Sequence, residues 1–133
     1  MITEFRAVRD GQIYFPFETN GLDHEEHFSD AVSLLAVAIN ELVTGNFAIE
    51  WFSGVTDTSA ERRKIFDGDL IQPTAASYRI VKVVRFIPDR AAFMMANIED
   101  LTKDWLDPWQ PLSQRWVDDC RAVVGGNIHG API

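Results

Sequence analysis

Ile65-Phe66-Asp67-Gly68-Asp69-Leu70-Ile71 is the stretch whose reading decides the fold. Asp67-Gly68 is a strong turn pair, because glycine takes a positive φ without a Cβ clash and an aspartate side chain can bond its own following backbone. Leu70 and Ile71 then open an extended apolar segment, which Pro73 ends because proline has no N–H to give a sheet ladder. Upstream, residues 46–53 alternate, with Phe47, Ile49 and Trp51 on one face and Ala48, Glu50 and Phe52 on the other. A period of two in aromatic and branched residues predicts a strand. Strand, polar connection (56–64), turn and second strand together make a small β unit.

Working outward toward the N-terminus, Asp10-Gly11 separates two short apolar-rich segments, 3–8 and 12–17, and so predicts a hairpin. Pro16 puts the second of these at a sheet edge or at its end. After a loop at 19–22, Asp23 stands three residues before Glu26, resembling a capping box, and acids fill the first turn. Phe28, Val32, Leu35, Ile39 and Leu42 recur at spacings of four and three, which is one face of a helix. Ala31, Leu34, Ala38 and Val43 widen that stripe, and Gly45-Asn46 is a good stop. The pattern predicts one principal helix over about 24–44. Its over-wide apolar face fits either deep burial or contact with another subunit, and Val37 on this helix is a candidate interface residue.

Toward the C-terminus, residues 77–87 are apolar on both faces and predict a long central strand, turned by Pro88-Asp89-Arg90 into an antiparallel return over 91–97. Residues 98–105 suggest one short helix, and Asp107-Pro108-Trp109-Gln110-Pro111 a rigid aromatic linker. Residues 112–120 are ambiguous between helix and strand, with helix preferred. A last short strand is expected over 121–124 and a loose tail over 125–133. Neither repeats nor a domain boundary appear, so the expectation is a single domain of 133 residues.

Bulk chemistry excludes several classes. A formal charge of −8 and a pI near 4.7 oppose binding to phosphate backbones. The single Cys120 permits neither an intrachain disulfide nor a cysteine-based zinc site. The first residues lack a basic-then-apolar signal layout, and no apolar run approaches the ~20 residues that span a bilayer. The expectation is a cytoplasmic protein without membrane or nucleic-acid partners.

Three separated pieces resemble the YopX-like proteins of phages and prophages. That family opens with a phenylalanine-arginine-alanine run and an aromatic strand, as do Phe5-Arg6-Ala7 and Ile13-Tyr14-Phe15 here. Its middle is a strand, a glycine-containing turn and a glycine-aspartate-hydrophobic strand start. Trp51-Phe52-Ser53-Gly54-Val55-Thr56-Asp57 and Lys64-Ile65-Phe66-Asp67-Gly68-Asp69-Leu70-Ile71 are similar. Its close resembles Val123-Val124-Gly125-Gly126-Asn127-Ile128 followed by Pro132. The resemblance implies a β-rich, barrel-like core of phage origin, and it implies no catalytic residues.

The remaining candidates are weighed by local chemistry. His24 and His27, at i and i+3, offer two ligands of a metal site, but a solvated acidic helix start explains them more simply. Asp67 and Asp69, with Glu50 or Asp57, could do acid–base work or hold Mg²⁺, yet turn chemistry already accounts for both aspartates. Arg62-Arg63-Lys64, with Lys82 and Arg85, is the best basic patch, though a solvated loop fits it better. Asp118-Asp119 reads as a solvated pair, and Cys120 beside it, with no histidine nearby, does not read as a catalytic nucleophile. Trp105, Trp109 and Trp116, with Leu101, Leu106 and Leu112, either complete the core or form an interface anchor set, since tryptophan is enriched at binding hot spots.

The sequence therefore predicts an α+β domain with a mainly antiparallel, barrel-like core, one principal helix and a Trp-rich C-terminal arm. The expected function is that of a non-catalytic, phage-derived accessory protein without cofactor or metal, working through protein contacts and self-association. Trp105, Trp109, Trp116 and Val37 are its candidate interface; Asp67, Gly68 and Asp69 are its structural turn. The alternatives are an acidic inhibitor of a host nucleic-acid enzyme and a small carboxylate- or metal-dependent hydrolase.

Overall fold

Asp10 and Gly11 both take positive φ, 55° and 74°, the geometry that a tight hairpin turn requires at its two central residues. They fold β1 (Glu4–Arg9) back on β2 (Gln12–Glu18) in antiparallel register. The computed structural model describes residues 4–18, 45–75 and 80–132, with backbone alone at 14–18. The helix expected over 24–44, with Val37, His24 and His27, lies outside the described residues.

β3 (Ala48–Thr56) pairs with the other side of β1, and β4 (Lys64–Phe66) pairs with β3, giving the sheet order β2-β1-β3-β4. Pro16 thus sits on the outer strand of this order, between the Phe5↔Phe17 and Ala7↔Tyr14 pairs where the register shifts. β3 bulges against β4 between the Phe52↔Phe66 and Thr56↔Lys64 pairs. Gly54 supplies the positive φ there, at 84°. The Ser53 hydroxyl donates to the Ile65 carbonyl at 2.6 Å and accepts the Val55 N–H at 3.1 Å, so it bonds one backbone group on each strand at the bulge.

The Asp67–Gly68 turn does not fold β5 (Asp69–Gln72) back onto β4. It passes the chain into a second sheet. There β5 lies between β6 (Lys82–Ile87) and β9 (Val123–Asn127), and β7 (Ala92–Asn97) and β8 (Gln110–Pro111) continue the order as β8-β7-β6-β5-β9. Every strand pairing in both sheets is antiparallel. The turn is pinned from three sides. Asp67 N–H donates to the Trp51 carbonyl at 2.9 Å, Gly68 N–H to the Val84 carbonyl at 2.6 Å, and Ile128 N–H to the Gly68 carbonyl at 2.9 Å.

Among the described residues there is one α-helix, α1 (Gln114–Cys120). The Ser113 hydroxyl caps it by accepting the Trp116 N–H at 3.1 Å, and Arg121 ends it in the left-handed region. The helix lays Val117 into a core of Val55, Ile65, Ile71, Val84, Met95 and Ala122. A second cluster joins Phe5 and Ala7 to Phe47, Ile49 and Trp51. The described chain is α+β and mostly antiparallel β. None of its helices is long and apolar enough to cross a membrane.

Several boundaries differ from the sequence expectation. Of the strand expected over 77–87, residues 77–79 lie outside the described residues, Ile80 and Val81 are not in a strand, and β6 covers Lys82–Ile87. In place of a helix over 98–105 there is a 3₁₀ turn, Ile98–Asp100, followed by further three-residue-spaced bonds from Lys103 N–H to Asp100 and from Leu106 N–H to Lys103. Leu101 and Trp105 are exposed, so this short segment has no buried face to stabilise a helix. The tail is not loose. β9 runs to Asn127, and Ala131 is buried beyond it.

Candidate functional site: a buried carboxylate network at the sheet junction

Glu50 lies on β3, Arg6 on β1 and Asp69 at the start of β5, and the turn through Gly68 brings them together. Glu50 is 0% exposed and Asp69 1%. Arg6 bridges them, with Nε donating to Glu50 Oε1 at 2.7 Å and Nη2 donating to Asp69 Oδ1 at 2.8 Å. The same guanidinium stacks 4.1 Å from the centre of the Phe66 ring. Asn127, at the end of β9, closes the other side: Nδ2 donates to Glu50 Oε2 at 2.8 Å and to Asp69 Oδ1 at 2.9 Å. Asp69 Oδ2 accepts the Phe66 N–H at 2.8 Å, and His129 Nδ1 lies 2.8 Å from Glu50 Oε2. All four carboxylate oxygens are engaged.

Gly68 makes this assembly possible. Its φ is +99°, and a Cβ there would stand 2.6 Å from Glu50 Oε2. Asp67 faces the other way, its Oδ1 accepting the Phe86 N–H at 3.2 Å and pairing with Arg85 Nε at 3.1 Å. The two aspartates of the turn thus serve different partners.

Burial pushes Asp69 above the usual carboxylate range, outweighing the Phe66 N–H, the Arg6 charge and Asn127, while the Glu50 charge adds to the rise. Asp67 is likewise raised by burial, against Arg85, the Phe86 N–H and His129. Asp57 goes the opposite way. Burial alone raises it, but the Ser59 hydroxyl and the Val124, Ser59 and Arg63 N–H groups together hold it below its ordinary value. Its Oδ1 takes three of those bonds, at 2.6–3.0 Å, and organises the β3–β4 loop. Its Oδ2 accepts the Val124 N–H at 3.0 Å, which braces β9 to that loop.

Among the described residues, no group of three or more His, Cys, Asp or Glu side chains is placed to hold a metal. Arg6 occupies the position between Glu50 and Asp69 where a cation would sit. His129, a third exposed, is where the network reaches solvent. Among the described residues its ring has Glu50 as its hydrogen-bond partner. What the network does chemically is clamp: charge-assisted bonds at 2.7–2.8 Å hold β1, β3, β5 and the tail in one register.

The candidate basic patch does not gather. Arg62 reaches Asp118, Arg63 reaches Glu61, Lys64 reaches Glu4 and Arg85 reaches Asp67, while Lys82 is buried. The three candidate tryptophans separate too. Trp105 is 80% exposed, Trp109 is half-buried, and Trp116 packs against the main core.

Sequence reasoning missed Arg6, Asn127 and His129 as members of the site. The signal that existed was a charged residue, Glu50, in a strand position between Ile49 and Trp51, which demands a buried partner. Nothing local says that the partner lies on β1. No protein-family model matches this chain, and no curated protein matches its sequence.

Proposed function

We propose that this chain is a non-catalytic, phage-derived accessory protein of YopX-like type, and that it acts by docking on a partner protein. The phage origin rests on the three resembling segments. A barrel-like core suits the two antiparallel sheets and the hydrogen bonds that join them at Gly68 and Val124. The saturated state of the Glu50–Asp69 network supports a structural use of these two residues, since all four of their carboxylate oxygens are already bonded.

One observation carries the docking reading. Trp105, Leu101, Ile98 and Val81 are exposed by 80%, 45%, 41% and 36%; Ile98 N–H bonds the Val81 carbonyl, and Ile98, Leu101 and Trp105 belong to one short segment, 98–105. A large exposed aromatic beside further apolar groups is the composition of an interface anchor. Within residues 98–107 the anchor is flanked by Glu99, Asp100, Asp104 and Asp107, against the single cation Lys103. That charge pattern suits a partner with an apolar pocket rimmed by basic groups, which is how an acidic inhibitor would engage a host nucleic-acid enzyme. It disfavours self-association through this patch, because two acidic rims repel.

The test is capture from bacterial host lysate by tagged chain, with Trp105→Ala as comparison, at low and moderate salt. A protein retained by the unaltered chain, lost with Trp105→Ala and weakened by salt supports the reading. Capture that Trp105→Ala leaves unchanged removes this patch from it. Recovery of the chain alone, with a dimer mass by light scattering, replaces the host partner by a second copy.

A further inference from the structure

Lys82 belongs neither to the carboxylate network nor to the exposed patch. It sits on β6 opposite Asn97 of β7 and is 7% exposed. Its ammonium donates to Asn97 Oδ1 at 2.6 Å and Gln110 Oε1 at 3.3 Å, and lies 5.6 Å from the centre of the Trp116 ring. Both acceptors are neutral amides, and an ammonium carries three donors. Among the described residues Lys82 has no ion pair. Asp100 reaches it only through Asn97, whose Nδ2 bonds Asp100 Oδ2 at 3.4 Å, and Asp100 is itself held by Lys103 at 2.7 Å. A buried cation without its own anion is costly, and burial lowers the pKa of Lys82 against the pull of Asp100 and Cys120.

Lys82 lines a cavity of about 310 Å³, with Pro73, Ile80 and Trp116 as apolar walls and Cys120 and Asp119 on the α1 side. The volume is at the lower end of the roughly 300–1,000 Å³ of ligand sites, which are characteristically apolar with a few fixed polar groups. We propose that this cavity binds a small monocarboxylate with an apolar body. Its carboxylate takes the place of the missing counter-ion on Lys82, and its body lies against Trp116, Ile80 and Pro73. Asp119, exposed and 3.8 Å from Arg115, adds a negative charge at the edge. With a chain charge of −8, that disfavours phosphates and dicarboxylates. The site is independent of the docking patch.

The probes are phenylacetate and its neutral isostere phenylacetamide, titrated into the full chain. Cys120, half-exposed in the cavity wall, provides one readout through its rate of alkylation by iodoacetamide. The Trp116 indole resonance provides another. Phenylacetate should slow alkylation and shift the indole signal, and phenylacetamide should bind at least about tenfold more weakly, the worth of a hydrogen bond to a charged group. Lys82→Met, which removes a buried charge at similar volume, should abolish the preference of acid over amide. Because the acid–amide comparison is made on the unaltered chain, it stands even if Lys82→Met fails to fold. Equal binding of the two probes, or no effect of phenylacetate at ~10 mM on either readout, overturns the proposal.

Discussion

Arg6 Nη2 donates to Asp69 Oδ1 at 2.8 Å across 63 residues of chain, joining the central strand of one sheet to the first residue of a strand in the other. Its Nε simultaneously holds Glu50. One cation between two carboxylates that are buried leaves little freedom in how the sheets meet, because any displacement unpairs a charge that water cannot reach.

Replacing Arg6 by Met should therefore lower unfolding stability by about 3–5 kcal/mol, the cost of leaving buried charge uncompensated. Arg115, whose pair with Asp119 is almost wholly exposed, should cost roughly 0–1 kcal/mol when changed to Met. Urea denaturation of both variants checks the contrast. Equal losses would mean that the Arg6 bridge contributes no more than a surface pair.

Gly68→Ala and Gly54→Ala separate backbone strain from steric conflict. Both glycines have positive φ, but an added Cβ at Gly54 meets nothing within 4 Å, whereas at Gly68 it meets Glu50 Oε2 at 2.6 Å. Gly54→Ala should cost about 1–2 kcal/mol, for the left-handed backbone alone. Gly68→Ala should cost more, and Glu50→Gln in the same chain should not restore it, since the amide is as large as the carboxylate. Thermal or chemical denaturation measures all three.

The acidic groups predict opposing pH dependences. Asp69 and Asp67 have folded pKa values raised above 3.8, so the native state binds their protons more tightly and their contribution falls as pH rises from about 3.8 through the raised values. Asp57 is lowered, so its contribution is present above 3.8 and is lost as pH falls through its folded pKa. Asp69→Asn should flatten the decline on the alkaline side of 3.8. Asp57→Asn should flatten the acid limb and cost about 1–3 kcal/mol at neutral pH, because one of its two oxygens becomes a donor facing N–H groups. Denaturation midpoints between pH 3 and 7 give both slopes.

Trp105→Ala should leave stability within about 0.5 kcal/mol, as expected of an exposed side chain, while removing partner capture. Trp116→Ala should cost at least about 2 kcal/mol, somewhat below the range for fully buried aromatic truncations. A stability loss with Trp105→Ala would show that this ring packs in the fold and does not await a partner.

Local chemistry was readable where it was self-sufficient. Asp10-Gly11 and Asp67-Gly68 announced their turns because the φ requirement is met by those residues alone. The alternation of 46–53 located β3, and 91–97 was read as the antiparallel return. The helix preferred over 112–120 forms over Gln114–Cys120. Long-range chemistry was not readable. Glu50 showed only as the polar member of an apolar face, and its partners come from β1, the turn and the tail. Asn127 and His129 were hidden in a segment whose glycines suggest a loose end, whereas Gly126 is held closely against Leu70. The switch of sheets at Gly68 was invisible for the same reason, since the carbonyl that receives its N–H belongs to Val84.

The brace from Asp57 to Val124 and the bonds from Asn127 to Glu50 and Asp69 span 67, 77 and 58 residues. As the chain leaves the ribosome, β1, β3 and the Asp67 turn exist long before their last partners. Of the partners of Glu50 and Asp69, Arg6 precedes both in the chain, whereas Asn127 follows both. Contacts so distant in sequence form late, because loop closure precedes their reward. The pairing of β9 with β5, and the reach of Asn127 to the two carboxylates, therefore belong to the later contacts of folding and not to its first ones.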